Sequence, residues 1–292
     1  MAPDGRPRII SAESLASRVD DPALVILEVA RANDDGAFRE AHIPGSRWAF
    51  WKELLWHDTD RQFPSPQILA ARLGALGIAR ESTIVLVGDP FQFGTYAFWV
   101  MQMLGRAELL LLDGGRRAWI DGGHPVASGR PEHPRVGHAA GHEDTSSRIG
   151  RDGVLDAVRE GSQRILDLRS AEEYRGERVS PVSAPFDHGA ERRGHIPGAR
   201  HLPHERLLRE DGTFRPPDEL RRVFDEVGVR PGDEVIAYCR LSHRASMGWF
   251  ALNELVGHED VRVYDGSWTE WGSIVGVPIE LDRPVGVEQE PA

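Results

Sequence analysis

The chain is written twice. Its first half contains, in order, VILEVAR, AHIPGSRW, TIVLVGD, TYAFWVMQMLG and ELLLLDGGRRAW. Its second half contains RILDLRS, GHIPGARH, EVIAYCR, SMGWFALNELVG and VRVYDGSWTEW. His42-Ile43-Pro44-Gly45 answers His195-Ile196-Pro197-Gly198, while Asp113-Gly114 and Trp119 answer Asp265-Gly266 and Trp271. The same order at nearly the same spacing identifies a duplicated domain. At 292 residues the chain is long for one compact domain and sufficient for two.

Each half alternates short β-branched or leucine-rich runs with amphipathic segments, the pattern of buried parallel strands and crossover helices. PQILAARLGALG and PDELRRVFDEVG both open on proline and close on glycine, as helices do. They precede TIVLVGD and EVIAYCR, so each half is expected to be an α/β domain with a mostly parallel sheet. The stretch SGRPEHPRVGHAAGHEDTSSRIG has little apolar content and is expected to be a surface linker. The expected domains are residues 6–128 and 150–283, joined by a linker at 129–149.

Composition excludes several functions. A net charge of -11 argues against a general nucleic-acid binder, which needs a basic face to displace counterions. No apolar run is long enough to span a bilayer. MAPDGRPRII lacks the basic-then-apolar order of a secretory signal, so the cytoplasm is the expected location. The chain has no GxxxxGK or GxGxxG fingerprint, and no cofactor is expected. The linker histidines His133, His138 and His142 lack a strand or helix to fix ligand geometry, so no metal is expected there either. Lys52 is the only lysine, so any anion site must use arginine forks or backbone amides.

One cysteine rules out an internal disulfide and a multi-cysteine zinc site. Cys239 follows the apolar strand EVIAY and precedes a helical segment, the place where ligands bind in open α/β sheets. Its neighbours are Arg240, Leu241, Ser242, His243 and Arg244. Helix N-terminal amides and nearby cations both favour an ionised thiol, and the same cradle would stabilise a persulfide anion. Cys239 is therefore expected to be a nucleophile.

The repeated HIPG turn, the repeated DGG or DGS followed by Trp, the DxR strand end and the lone cysteine of the second half share one resemblance. Over essentially its whole length the chain resembles a tandem-domain rhodanese, the thiosulfate and 3-mercaptopyruvate sulfurtransferase family. YDGSWTEWGS, Tyr264 to Ser273, is similar to that family's C-terminal signature. The resemblance implies a fold of two tandem rhodanese-like domains, each a mostly parallel five-stranded sheet flanked by helices. It implies that Cys239 to Arg244 is the active-site loop, one residue shorter than in related dual-specificity phosphatases, and sized for a single sulfur. The gapless equivalent of Cys239 in the first half is Val87, so the N-terminal domain is expected to be catalytically silent.

The implied activity is transfer of sulfane sulfur from thiosulfate to cyanide or a thiol through a Cys239 persulfide. The alternatives are a 3-mercaptopyruvate sulfurtransferase and a persulfide carrier that delivers to a protein thiol. Basic loop residues favour thiosulfate by comparison with the family. Arg240, Leu241, Ser242, His243, Arg244 and Arg169 are the expected substrate-binding residues. Arg169 has two readings, a fork for the substrate anion or an ion pair with Asp167. Arg244 has a further one, bracing the loop through an acidic side chain. The family often has glycine where Ser242 stands, and many two-domain members have a substrate-binding arginine where Glu173 stands. His243 is expected to be a solvated or partner-facing residue rather than a base. His42 and His195, being duplicated, are expected to stabilise turns. No nucleic acid or membrane partner is expected, and the default oligomeric state is a monomer.

Overall fold

A computed structural model describes residues 8–182 and 189–282. Residues 6, 7 and 283 of the expected domain bounds lie outside the described residues. Contacts divide the chain into two compact units. Residues up to Ser147 together with Leu208–Pro216 form the first, and Arg148–Leu207 with the residues from Pro217 onward form the second.

The first unit has one sheet of strands β1 (Ile9–Ile10), β2 (Leu24–Ala30), β3 (Arg47–Phe50), β4 (Thr83–Asp89) and β5 (Leu109–Leu112), in the order β1-β5-β4-β2-β3. The second repeats it with β6 (Arg148–Ile149), β7 (Arg164–Asp167), β8 (Arg200–His201), β9 (Val235–Tyr238) and β10 (Val261–Tyr264), in the order β6-β10-β9-β7-β8. Every strand pairing in both sheets is parallel. The expected fold, two α/β domains with parallel five-stranded sheets, is the observed one. The middle strands β4 and β9 are buried along their lengths, which explains their apolar runs without polar alternation.

The two proline-led segments form the helices Pro66–Ala75 and Pro217–Glu226. Ser65 caps the first by accepting from the Ile68 amide at 3.3 Å, and proline gives up an amide that would have had no helical partner. HIPG is a tight turn in both units. The Ser46 amide donates to the Ile43 carbonyl and the Ala199 amide to the Ile196 carbonyl, each at 3.0 Å. Gly45 and Gly198 hold φ of 73° and 76°, which L side chains resist, and proline presets the preceding residue. His42 and His195 each donate from Nδ1 to a carbonyl at 2.9 Å, on Phe38 and Tyr174, while stacking on the rings of those residues. The duplicated histidine thus holds the duplicated turn.

The stretch after residue 129 lies along the first unit. The Val136 amide donates to the Gly74 carbonyl, His138 Nδ1 to the Ile78 carbonyl, and the Asp144 amide to the Met103 carbonyl. Leu208–Pro216 groups with the first unit because the Phe214 amide donates to Asp113 Oδ1 at 2.9 Å and its ring meets Phe91 at 5.2 Å. No helix among the described residues is long and apolar enough to cross a membrane.

Candidate active site

Strand β9 ends at Tyr238, and the next residue, Cys239, begins a loop that turns into the helix His243–Phe250. The DGSWT turn after β10 pins that loop. The Cys239 amide donates to Ser267 Oγ at 3.3 Å, and the Cys239 carbonyl accepts from the Trp268 amide at 2.9 Å. The Arg240 carbonyl accepts from both the amide and the hydroxyl of Thr269. Ser242 Oγ donates to the Asp265 carbonyl at 2.6 Å, and Arg148 ion-pairs with the Asp265 side chain at 3.1 Å. The strand-end signature of the second half is therefore the clamp of the cysteine loop.

Ser242 occupies the left-handed region at φ 71°, where glycine is favoured, so the family's glycine and this serine serve the same backbone shape. Its hydroxyl bond to Asp265 offsets the strain. Carbonyls 239 and 240 thus face the DGSWT turn, and the first amides of the following helix have no intrahelical acceptor.

Cys239 is only 1% exposed, yet its loop is rich in polar groups. Arg244, at the start of the helix, forms two hydrogen bonds with Glu173, Nη1 to Oε2 at 2.6 Å and Nη2 to Oε1 at 2.8 Å. Burial alone would lower the Arg244 guanidinium. The hydrogen bonds to Glu173 and the charges of the Cys239 sulfur and Glu173 outweigh burial and hold it above its ordinary value. Glu173 is itself fully buried and fixed by a capping box. Its amide donates to Ser170 Oγ, and the Ser170 amide donates to Glu173 Oε2.

A second buried pair lies at the end of β7. Arg169 is 0% exposed, and its Nε and Nη2 donate to the Asp167 carboxylate, with Nη2 also reaching the Gly194 carbonyl. Its guanidinium stacks 4.4 Å from the Trp268 ring. Burial pushes the Asp167 carboxyl up, but the Arg169 charge and the hydrogen bonds from Arg169 and Tyr238 prevail and hold it below its ordinary value. Of the two readings of Arg169, the structure displays the ion pair with Asp167.

The remaining expected residues divide. Arg240 and Leu241 are half-buried at the loop apex. His243 is 8% exposed and is not a solvated residue, because it begins the buried helix. Arg244 turns its fork toward Glu173, which is the bracing geometry. Residue counting missed Glu173, Ser267 and Tyr238. The Ser-x-x-Glu spacing from Ser170 to Glu173 was a visible signal for the first of these.

The counterpart of Cys239 in the first unit needs correction. The sheets pair Glu28 with Val87 and Asp167 with Tyr238, so the cysteine position corresponds to Gly88, not Val87. A Cβ at Gly88 would lie 2.3 Å from the Phe91 carbonyl oxygen and 2.4 Å from the Gly94 amide nitrogen. That loop is closed on its own backbone and admits no side chain. Glu28, equivalent to Asp167, instead accepts from the Ile43 amide and the Ser46 hydroxyl.

A family model described as "Rhodanese-like domain" matches residues 11–121 and 151–274. The chain is 37% identical over 275 residues to a protein of Thermus thermophilus named "Sulfur carrier protein TtuD", covering 93% of this chain and 95% of that one. It is 38% identical over 274 residues to a Mycobacterium tuberculosis protein named "Putative thiosulfate sulfurtransferase", covering 94% and 97%. Among solved structures, the anaerobic ergothioneine biosynthesis enzyme of Chlorobium limicola superposes with a TM-score of 0.79 at 23% identity. That match covers 95% of this chain and 71% of the other, and is a likeness of fold. Two matched domains and full-length relatives agree with the duplicated sheets and the single cysteine loop: this chain belongs to the rhodanese family.

Proposed function

We propose that this protein is a sulfurtransferase that takes the outer sulfur of thiosulfate onto Cys239 and passes it to a thiophile such as cyanide or a thiol. The observation that carries the reading is the placement of Cys239 just after β9, in a loop clamped by the DGSWT turn and closed by Arg244 at the start of the next helix. The names of the T. thermophilus and M. tuberculosis relatives support the same chemistry.

In the first step the Cys239 thiolate attacks the outer sulfur of thiosulfate. A new S–S bond forms, the old one breaks, and sulfite leaves with the electron pair. In the second step the acceptor attacks the outer sulfur of the persulfide, and the Cys239 thiolate returns with the electrons of the broken bond. No net oxidant is required. Arg240, half-buried at the loop apex, lies closest to the role of receiving the donor anion, with Leu241, Ser242 and His243 shaping the loop. Arg244 stabilises the charged sulfur at the end of its Glu173 brace, and amides at the start of a helix supply further positive potential. The first domain, with Gly88 at the cysteine position, takes no part in the transfer. Replacing Cys239 by serine abolishes thiocyanate formation from thiosulfate and cyanide; retained activity would refute the reading.

The kinship with a named sulfur carrier favours a second reading, in which the natural acceptor is a protein thiol. Faster discharge of the persulfide to a protein thiol than to cyanide would support it.

A further inference from the structure

We propose that Glu173 is a positioning residue that sets, through Arg244, the electrostatic field at the Cys239 sulfur. The inference rests on Cys239 being the reacting group. Glu173 is fully buried, and its carboxylate grips the last residue of the cysteine loop by both Nη atoms. Glu173 cannot drift, because the Ser170 capping box holds its backbone and one carboxylate oxygen. Arg244 is thereby fixed in the cysteine loop, five residues after Cys239 and at the start of the helix that the loop enters.

The titratable groups that face Arg244 or share its loop belong to several elements. Arg240, His243 and Arg244 come from the loop and its helix, Asp167 and Arg169 from the end of β7, and Glu205 from the turn that reaches Arg244. Arg169 gives its Nε and Nη2 to Asp167, while its buried Nη1 has no hydrogen-bond partner among the described residues. Glu173 is the group that balances Arg244, and so it limits how strongly the loop favours an anionic sulfur. Removing its charge while keeping its shape leaves the cation in place and the balance tipped toward the anion.

The test is the pH profile of Cys239 alkylation by iodoacetamide in the full-length protein. In Glu173→Gln the midpoint should move down by about one pH unit, with the high-pH plateau unchanged. A merely structural role would change the plateau through altered access and leave the midpoint where it was, and that result overturns the proposal. If Glu173→Gln does not fold, the double variant Glu173→Gln/Arg244→Gln removes both charges and leaves two polar amides in their place. Having lost the cation that belongs to the cysteine loop itself, it should show a midpoint above that of the unaltered protein. An unmoved midpoint in the double variant overturns the proposal equally. Alkylation reports the thiol whether or not sulfur is transferred, so failure here is separable from failure of the sulfurtransferase reading.

Discussion

The Tyr238 hydroxyl donates to Asp167 Oδ2 at 2.6 Å and accepts from the Ile196 amide at 3.2 Å. One phenol thereby ties the residue before the cysteine to the DxR strand end and to the HIPG turn. Tyr238→Phe leaves a buried carboxylate short of a donor and a buried amide without an acceptor. It should lower stability by about 1–3 kcal/mol, read as a reduced urea midpoint with an unchanged slope.

Ser242 combines a strained backbone with a compensating hydroxyl. Ser242→Ala removes the bond to the Asp265 carbonyl and keeps the strain, while Ser242→Gly removes both. The glycine variant should therefore be the more stable of the two by about 1 kcal/mol in equilibrium denaturation. Equal stabilities would show that the left-handed backbone costs nothing here.

Gly88 tests the closed loop of the first domain. Gly88→Cys places a Cβ where the Phe91 carbonyl and the Gly94 amide already lie. The variant should lose more than about 2 kcal/mol of stability and acquire no second persulfide when treated with thiosulfate. Two sulfur atoms per chain would contradict the account of the silent domain.

Much of this was legible in the sequence and some was not, for identifiable reasons. The duplicated HIPG and DG…W segments announced both domains, since each is a turn that needs its own glycine or a strand end that needs its own tryptophan. Cys239 stands out in the sequence because a lone thiol among arginines is an unusual neighbour for a core. The counterpart of the cysteine was misplaced by one residue. TIVLVGD laid against EVIAYCR without a gap already sets Gly88 opposite Cys239, and the pairing with β2 agrees. Glu173 was visible as a mismatch with the family and not as a partner of Arg244, because residues so distant in sequence meet only through the tertiary fold. The exposure of Arg169 and His243 was equally hidden, since neither residue's surroundings lie nearby in the sequence.

Asp113 gives a pH dependence. Burial, with Asp211 adding to it, pushes its carboxyl from 3.8 up to about 6, against the hydrogen bond from the Phe214 amide. The folded state keeps a proton that the unfolded chain releases earlier, so this group's contribution to stability is present at low pH and lost as pH rises through that window. Asp113→Asn can still accept from Phe214 and does not titrate. Between about pH 4.5 and pH 7 the Tm of the unaltered protein should fall by about 2–4 °C relative to the variant, the shift that about 1 kcal/mol produces in domains of this size. Parallel Tm curves would exclude a raised Asp113.

The most direct test of sulfur carriage is intact mass before and after thiosulfate treatment. The unaltered protein should gain one sulfur atom per chain and lose it on addition of cyanide, and Cys239→Ser should gain none. An unchanged mass, or a gain that survives loss of the thiol, would contradict the account.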